Sequence, residues 1–308
     1  MRAVLLERNK MVSRRLVRYF ASAGIEAIAV EDPAAVPAHV ATCDLIAADT
    51  FDGDVVAASV RSKPSLRGVL WTAEPIKRSM RYLVENVQIS NVLGRKDFES
   101  TPRPWELMMI LRRLAAPTEG APPISAYLDW GFSGFQDKVG TTKGRDQAVA
   151  HVQAFIAALQ VPKRIGEMFG ELTHEMLMNA MYDAPAGADG KAKYAQDRKA
   201  DIALEDLEQP TLRVATDGTK LIAQVTDPFG RLLRKHVFDG LARGLAQGEM
   251  DHSHGGAGLG MMVCHNSTAA MFYDVVRGRL TEVTGVFELD LNLREFKSQA
   301  KSLHFFQA

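Results

Sequence analysis

Asp44-Leu45-Ile46-Ala47-Ala48-Asp49 places four apolar residues between two carboxylates. So short an apolar run suits a strand buried on both faces better than a helix. Four further brief runs flank it: Val4-Leu5-Leu6, Ala27 to Val30, Val69 to Trp71, and Val92-Leu93. Helical patterns lie between them. Val12, Leu16 and Phe20 repeat on one face up to Gly24, and a last helix is expected from Trp105 to Leu114. Five short strands alternating with helices predict an α/β, doubly wound parallel sheet whose ligand crevice lies at the carboxyl ends of its strands. Just past those ends stand Glu7 with Arg8, Asp49, Thr72 and Lys96. Asp49 is a candidate nucleophile towards phosphorus, with Thr72 and Lys96 hydrogen-bonding the phosphoryl oxygens.

This first segment, residues 1–116, resembles response-regulator receiver domains. The residues that carry the likeness are Val4 to Asn9, Asp44 to Asp49, Leu70-Trp71-Thr72-Ala73 and Leu93 to Asp97. The resemblance implies that Asp49 is the phosphoacceptor, Thr72 the switch hydroxyl and Lys96 the phosphate-binding lysine. Receivers hold Mg²⁺ with two adjacent acids at the first strand, whereas this chain has Glu7-Arg8. Mg²⁺ takes oxygen ligands, so Arg8 departs from the pattern, and its guanidinium could pair with Asp49 instead. Two readings stand open, a phosphorylatable receiver and a pseudo-receiver that serves as a docking surface.

Pro117-Thr118-Glu119-Gly120-Ala121-Pro122-Pro123 can neither continue a helix nor pair in a sheet, so 117–125 is read as a linker and 126–308 as a second domain. A loosely structured excursion is expected from Pro185 to Pro210. In the second domain a helix is expected from Arg145 to Gln160, and a stronger one starts at Val161-Pro162. Along the latter Ile165, Phe169, Leu172 and Met176 form an apolar stripe, and Glu171, Glu175, Asn179 and Asp183 recur every four residues. A carboxylate and an amide among Met176, Leu177, Met178, Ala180 and Met181 need polar partners, which a metal–phosphate group would supply. Thr211 to Val214 and Leu221 to Val225 then flank an Asp217-Gly218 turn as a hairpin, which leads into Asp227-Pro228-Phe229-Gly230. Gly255-Gly256-Ala257-Gly258-Leu259-Gly260 opens the next helix, where glycines let a backbone approach an anion.

That order resembles the GHKL ATPase superfamily over residues 126–295, an α+β sandwich with a mixed sheet. Glu175 to Ala180 look like its N box, Asp227 to Gly230 its first glycine box, and Gly256 to Gly260 its second. The resemblance implies ATP and Mg²⁺ as cofactors. Asn179 would ligate the Mg²⁺ carried by ATP, with Asp183 nearby, and Asp227 would accept from the adenine amino group. Gly256, Gly258, Leu259 and Gly260 would line the phosphates, Arg231 to Gly255 would form a mobile lid, and Glu175 would act as general base. A glycine usually stands two residues after the box Asp; here Phe229 does, and Gly230 follows. The final strands are expected at Met271 to Val276 and Val283 to Leu291.

The helix pair before the pocket resembles anti-sigma serine kinases. His151 has no neighbouring Glu and Pro of a phosphoacceptor, His174 reads as structural, and His252 with His254 make a weak metal pair. The expected function is therefore bacterial signalling: Mg-ATP binding coupled to phosphorylation or switching of a partner protein, under control of the receiver-like domain. The alternative is a non-catalytic ATP-dependent switch or scaffold. Enzymatic activity, as an ATP-dependent protein kinase or ATPase, stays open between them. Partners are expected among proteins of the pathway, including a second copy as a homodimer. The 308 residues hold 37 Lys+Arg and 37 Asp+Glu, a balance unlike that of proteins which coat nucleic acid. The absence of a long uncharged apolar run, and two distant cysteines, Cys43 and Cys264, lead to the expectation of a cytoplasmic protein with no transmembrane segment. Ser302-Leu303-His304-Phe305-Phe306 reads as an exposed-looking apolar tip that docks either on a partner or on the body of the chain.

Overall fold

The computed structural model describes the chain except for residues 188, 189, 196 and 248–257. It divides into two compact units, Met1–Thr118 with Ser298–His304, and Glu119–Lys297 with Phe305–Ala308. Among the described residues no helix is long and apolar enough to cross a membrane.

The first unit alternates strand and helix: β1 (Arg2–Leu6), α1 (Lys10–Ser22), β2 (Glu26–Val30), α2 (Pro37–Val40), β3 (Leu45–Asp49), α3 (Gly53–Ser62), β4 (Arg67–Thr72), α4 (Met80–Glu85), β5 (Ile89–Gly94) and α5 (Pro104–Ala115). The five strands are parallel in the order β2-β1-β3-β4-β5. The order reverses beside β1, so the carboxyl ends of β1 and β3 flank a topological switch point. Every residue of β3 is buried, as an unbroken apolar run between two helical layers requires. The Asn9 side chain accepts from the amides of Met11 and Val12 and so starts α1, whose Val12, Leu16 and Phe20 are buried.

The second unit contains β6 (Ser133–Lys138), α6 (Thr142–Ala158), α7 (Lys163–Met178), a π-helical turn (Asn179–Asp183), β7 (Thr211–Thr216), β8 (Lys220–Asp227), α8 (Arg234–Gln247), α9 (Leu259–Asn266), β9 (Ala270–Val276), β10 (Leu280–Glu288) and α10 (Leu293–Ser298). The pairs β6–β7, β7–β8, β8–β10 and β9–β10 are all antiparallel. Leu172 of α7 packs against Gly285 of β10, where a side chain would meet it at 3.0 Å. Pro162 lies just before α7 and caps it, rather than occupying its first turn. Gly218 makes the β7–β8 turn at φ +89°, a conformation that costs glycine nothing.

The C-terminal segment is a strand, β11 (Ser302–Gln307), and not an exposed tip. Ser302, Leu303, His304 and Phe305 are buried. Leu303 and His304 pair antiparallel with Val92 and Asn91 of β5. The Ser302 hydroxyl accepts from the Gly94 amide at 2.7 Å, and His304 Nε2 lies 2.6 Å from Glu106 Oε1, both side chains fully buried. An apolar run with one histidine gave no indication that a buried carboxylate awaited it.

Candidate functional sites

At the strand ends of the first unit, β1 and β3 bring Glu7 and Asp49 together around one arginine, Arg95. Its guanidinium lies 3.2 Å from Glu7 Oε2 and 2.7 Å from Asp49 Oδ2, and its side chain is 2 % exposed. The Phe51 amide donates to Asp49 Oδ1 at 2.7 Å. Burial raises the Asp49 carboxyl above its ordinary range, against the Phe51 amide and Arg95, which favour the charged form.

Arg8 does not pair with Asp49. It makes a two-pronged contact with Asp52, Nε at 3.0 Å and Nη2 at 2.5 Å, and lies over the Phe51 ring. The Thr72 hydroxyl is used within its own turn, accepting from the Glu74 amide at 2.9 Å. Lys96 is exposed. Sequence reasoning missed Arg95 and Asp52. Arg95 is the first residue beyond β5, one step ahead of the lysine that the family pattern highlights.

A receiver-type Mg²⁺ would need oxygens from Glu7 and Asp49. Both already face a buried guanidinium, so these residues do not fit the ion. A permanent positive charge stands where the metal would.

The second unit encloses a cavity of about 580 Å³, within the range of small-molecule sites. Asn179, Asp183, Asp227, Gly258 and Gly260 all line it, contributed by the π turn, the end of β8 and the start of α9. The π turn hands the Ala184 amide to the Asn179 carbonyl at 3.1 Å, which widens the helix at the cavity wall. Met176, Val225 and Val283 supply apolar wall. Asp227 is buried in this wall, 6 % exposed, with Oδ1 accepting from the Phe229 amide at 2.9 Å. Burial raises its carboxyl to about 6, although the amides of Phe229 and Gly230 favour the charged form. Thr281 stands opposite it in the β8–β10 register, and its side chain also favours the charged form of Asp227.

Three of the expected residues are near the cavity without lining it. Glu175 lies behind Gly260, where a Cβ would come 2.5 Å from Glu175 Oε2. Leu259 begins α9. Gly230 has φ +60° and lies so close to the Val276 carbonyl oxygen that a Cβ would come within 2.1 Å of it. The tight approach expected two residues after Asp227 is thus made one residue later. Gly256, with Gly255, His252 and His254, lies outside the described residues.

The segment expected as a mobile lid is, over Arg234–Gln247, the helix α8. It packs on the start of α9, where a side chain on Gly258 would come 2.5 Å from the Gly240 carbonyl oxygen. His236, Gly240 and Arg243 of α8 line the cavity.

The excursion after Pro185 also contributes to the wall, through Arg198. Arg198 Nη2 donates to Asn179 Oδ1 at 2.8 Å and lies 3.2 Å from Asp183 Oδ2. Composition marked this stretch as loose and hid its role. The Asn179 oxygen that the resemblance assigns to Mg²⁺ is therefore held by a cation of the chain itself. In this arrangement Asn179 and Asp183 do not fit the ion. Burial raises the Asp183 carboxyl, against the nearby Arg198.

No family model matches the chain, and no curated protein matches it. Over its N-terminal 37% it is similar in structure to receiver domains. The receiver domain of an HD domain-containing protein from Pseudomonas fluorescens is 16% identical, covers 37% of this chain and 93% of its own, and gives a TM-score of 0.33. That of a Francisella response regulator is 13% identical over 37% and 94% of the two chains, with a TM-score of 0.32. A CheY-like receiver domain protein from Methanospirillum hungatei is 11% identical over 37% and 93%, also with a TM-score of 0.32.

Proposed function

We propose that this chain is a bacterial signalling protein whose second unit binds ATP and uses occupancy of the cavity to switch a protein partner. One observation carries the reading: Asn179, Asp183, Asp227, Gly258 and Gly260, dispersed over some 80 residues of sequence, all line one cavity. The buried Asp227 carboxylate suits the adenine amino group, which would donate a further hydrogen bond to this desolvated anion. The apolar wall suits the faces of the base, and the glycine start of α9 allows a phosphate to approach the backbone. The first unit is read as a docking surface and not a phosphoryl acceptor, because the Arg95 guanidinium already pairs with both Glu7 and Asp49.

Thermal unfolding of the full chain with millimolar ATP, ADP or GTP tests the binding. A ligand at 100 times its Kd adds about 2.7 kcal/mol to the stability of the state it binds. An upward shift with ATP and ADP, larger than with GTP, supports the reading. No shift with any of them removes it.

Glu175, set against Gly260, favours a second reading as an ATP-dependent kinase or ATPase. There a hydroxyl or water oxygen attacks the γ-phosphorus, its proton passes to Glu175, and ADP leaves. ADP release at saturating ATP that disappears in Glu175→Gln, with ATP binding retained, would establish turnover. Equal and negligible release in both proteins would leave the switch.

A further inference from the structure

We infer that Arg198 is the built-in cation of this site, so that the cavity takes ATP with its polyphosphate neutralised by the chain and not by Mg²⁺ on Asn179. The inference rests on the reading of the cavity as an ATP site.

Its first ground is geometry. A single nitrogen, Nη2 of Arg198, reaches both Asn179 Oδ1 and Asp183 Oδ2, at 2.8 and 3.2 Å. A guanidinium has five N–H donors in a planar fork, and among the described residues Nη2 alone makes these contacts. Among the described residues nothing engages Nε or Nη1, which leaves them to phosphate oxygens, and a planar fork binds these two at a time. Arg198 is held by both partners before any ligand arrives, so little ordering cost remains on binding.

Charge is the second ground. Among the described residues the cavity wall carries three guanidiniums, Arg198, Arg231 and Arg243, against two carboxylates, Asp183 and Asp227. Arg231 donates to the carbonyls of Ala184 and Gly190 at 3.2 and 2.6 Å, which fixes a second cation on the same side as the excursion. A polyphosphate meets a wall of net positive sign without a metal. Mg²⁺ on Asn179 would lie beside the Arg198 guanidinium, and two fixed like charges at that separation oppose each other. Arg198 would have to leave before the ion could bind.

The test is calorimetric titration of the full chain with ATP, once in excess Mg²⁺ and once in EDTA. The wild type should bind with affinities within about threefold of each other in the two buffers. Arg198→Ala should weaken binding in EDTA roughly ten- to hundredfold, the effect of losing charge-assisted hydrogen bonds, and Mg²⁺ should restore part of it. Arg198→Lys, which keeps the charge without the fork, should fall between the two. The Arg198 side chain is 39 % exposed, so these variants should melt close to the wild type, which checks that they fold. Wild-type binding that requires Mg²⁺ would overturn the inference and leave the ATP reading standing. So would an Arg198→Ala chain that binds in EDTA as tightly as the wild type. No ATP binding in either buffer would overturn both.

Discussion

At the residue scale, two buried carboxylates carry opposite lessons about compensation. Asp49 has Arg95, and removal of that partner would leave Glu7 and Asp49 as like charges in a dry crevice. Arg95→Ala should destabilise the first unit by about 3–5 kcal/mol at neutral pH, the usual cost of orphaning a buried charge. Adding Asp49→Asn should recover part of that loss, as read by denaturant unfolding in a double-mutant cycle. Asp227 has no ion pair of that kind among the described residues, though Arg231 favours its charged form, and its carboxyl is raised from 3.8 to about 6. The folded state therefore holds its proton more tightly than the unfolded chain. The resulting stability is fully present below about pH 4 and is lost as pH rises through about 6. Two pH units correspond to a difference of up to about 3 kcal/mol. Asp227→Asn should thus stabilise the ligand-free protein at pH 7.5 but not at pH 4. Urea unfolding of both proteins at the two pH values checks the sign, and a variant less stable at pH 7.5 would refute it.

At the scale of elements, the helices and strands with strong apolar periodicity were legible, whereas β6, α8 and β11 were not. β3 ends where Asp49 stands, and the Asp217-Gly218 turn joins β7 to β8. The end of α7 was not legible, since a π turn differs from an α-helix by one hydrogen-bond offset and has no composition of its own. Arg198 stayed hidden for another reason: its partners are 15 and 19 residues away, across a stretch without periodicity. Phe229 stands where a glycine was expected, and Gly230 takes over the close approach to β9. Gly230→Ala should therefore cost more than 2 kcal/mol, because left-handed strain adds to a clash with the Val276 carbonyl. Gly218→Ala, with a similar φ but nothing within 4 Å, should cost only about 1–2 kcal/mol. Equal losses in denaturant unfolding would show that the backbone at Gly230 can yield.

For the whole molecule, the return of the C-terminus to the first unit was not legible in the sequence. Ser298–His304 belongs with the first unit, nearly 200 residues after that unit's last helix. A pairing so distant depends on the β5 edge and on the charge of Glu106, and neither is written in the segment itself. Arg103 and His304 both bind Glu106, and Arg103 also reaches Ser302 and the Ala300 carbonyl. Removing residues 298–308 should uncover the edge of β5 and strip His304 from a fully buried carboxylate. The melting transition of the first unit should fall by at least 5 °C, on the order of a few kcal/mol. An unchanged transition would mean that the segment merely rests there.

The most direct test of the central claim is titration of the full chain with ATP and GTP at pH 7.5, for the wild type and for Asp227→Asn. On the proposed reading an adenine amino group would donate to the Asp227 carboxylate, whereas guanine would present an acceptor oxygen at the same position, which the anion repels. The wild type should bind ATP at least tenfold more tightly than GTP, and Asp227→Asn should lose most of that preference. A wild type that binds neither nucleotide, or a variant that keeps the full preference for ATP, would contradict the assignment of this cavity as an adenine nucleotide site.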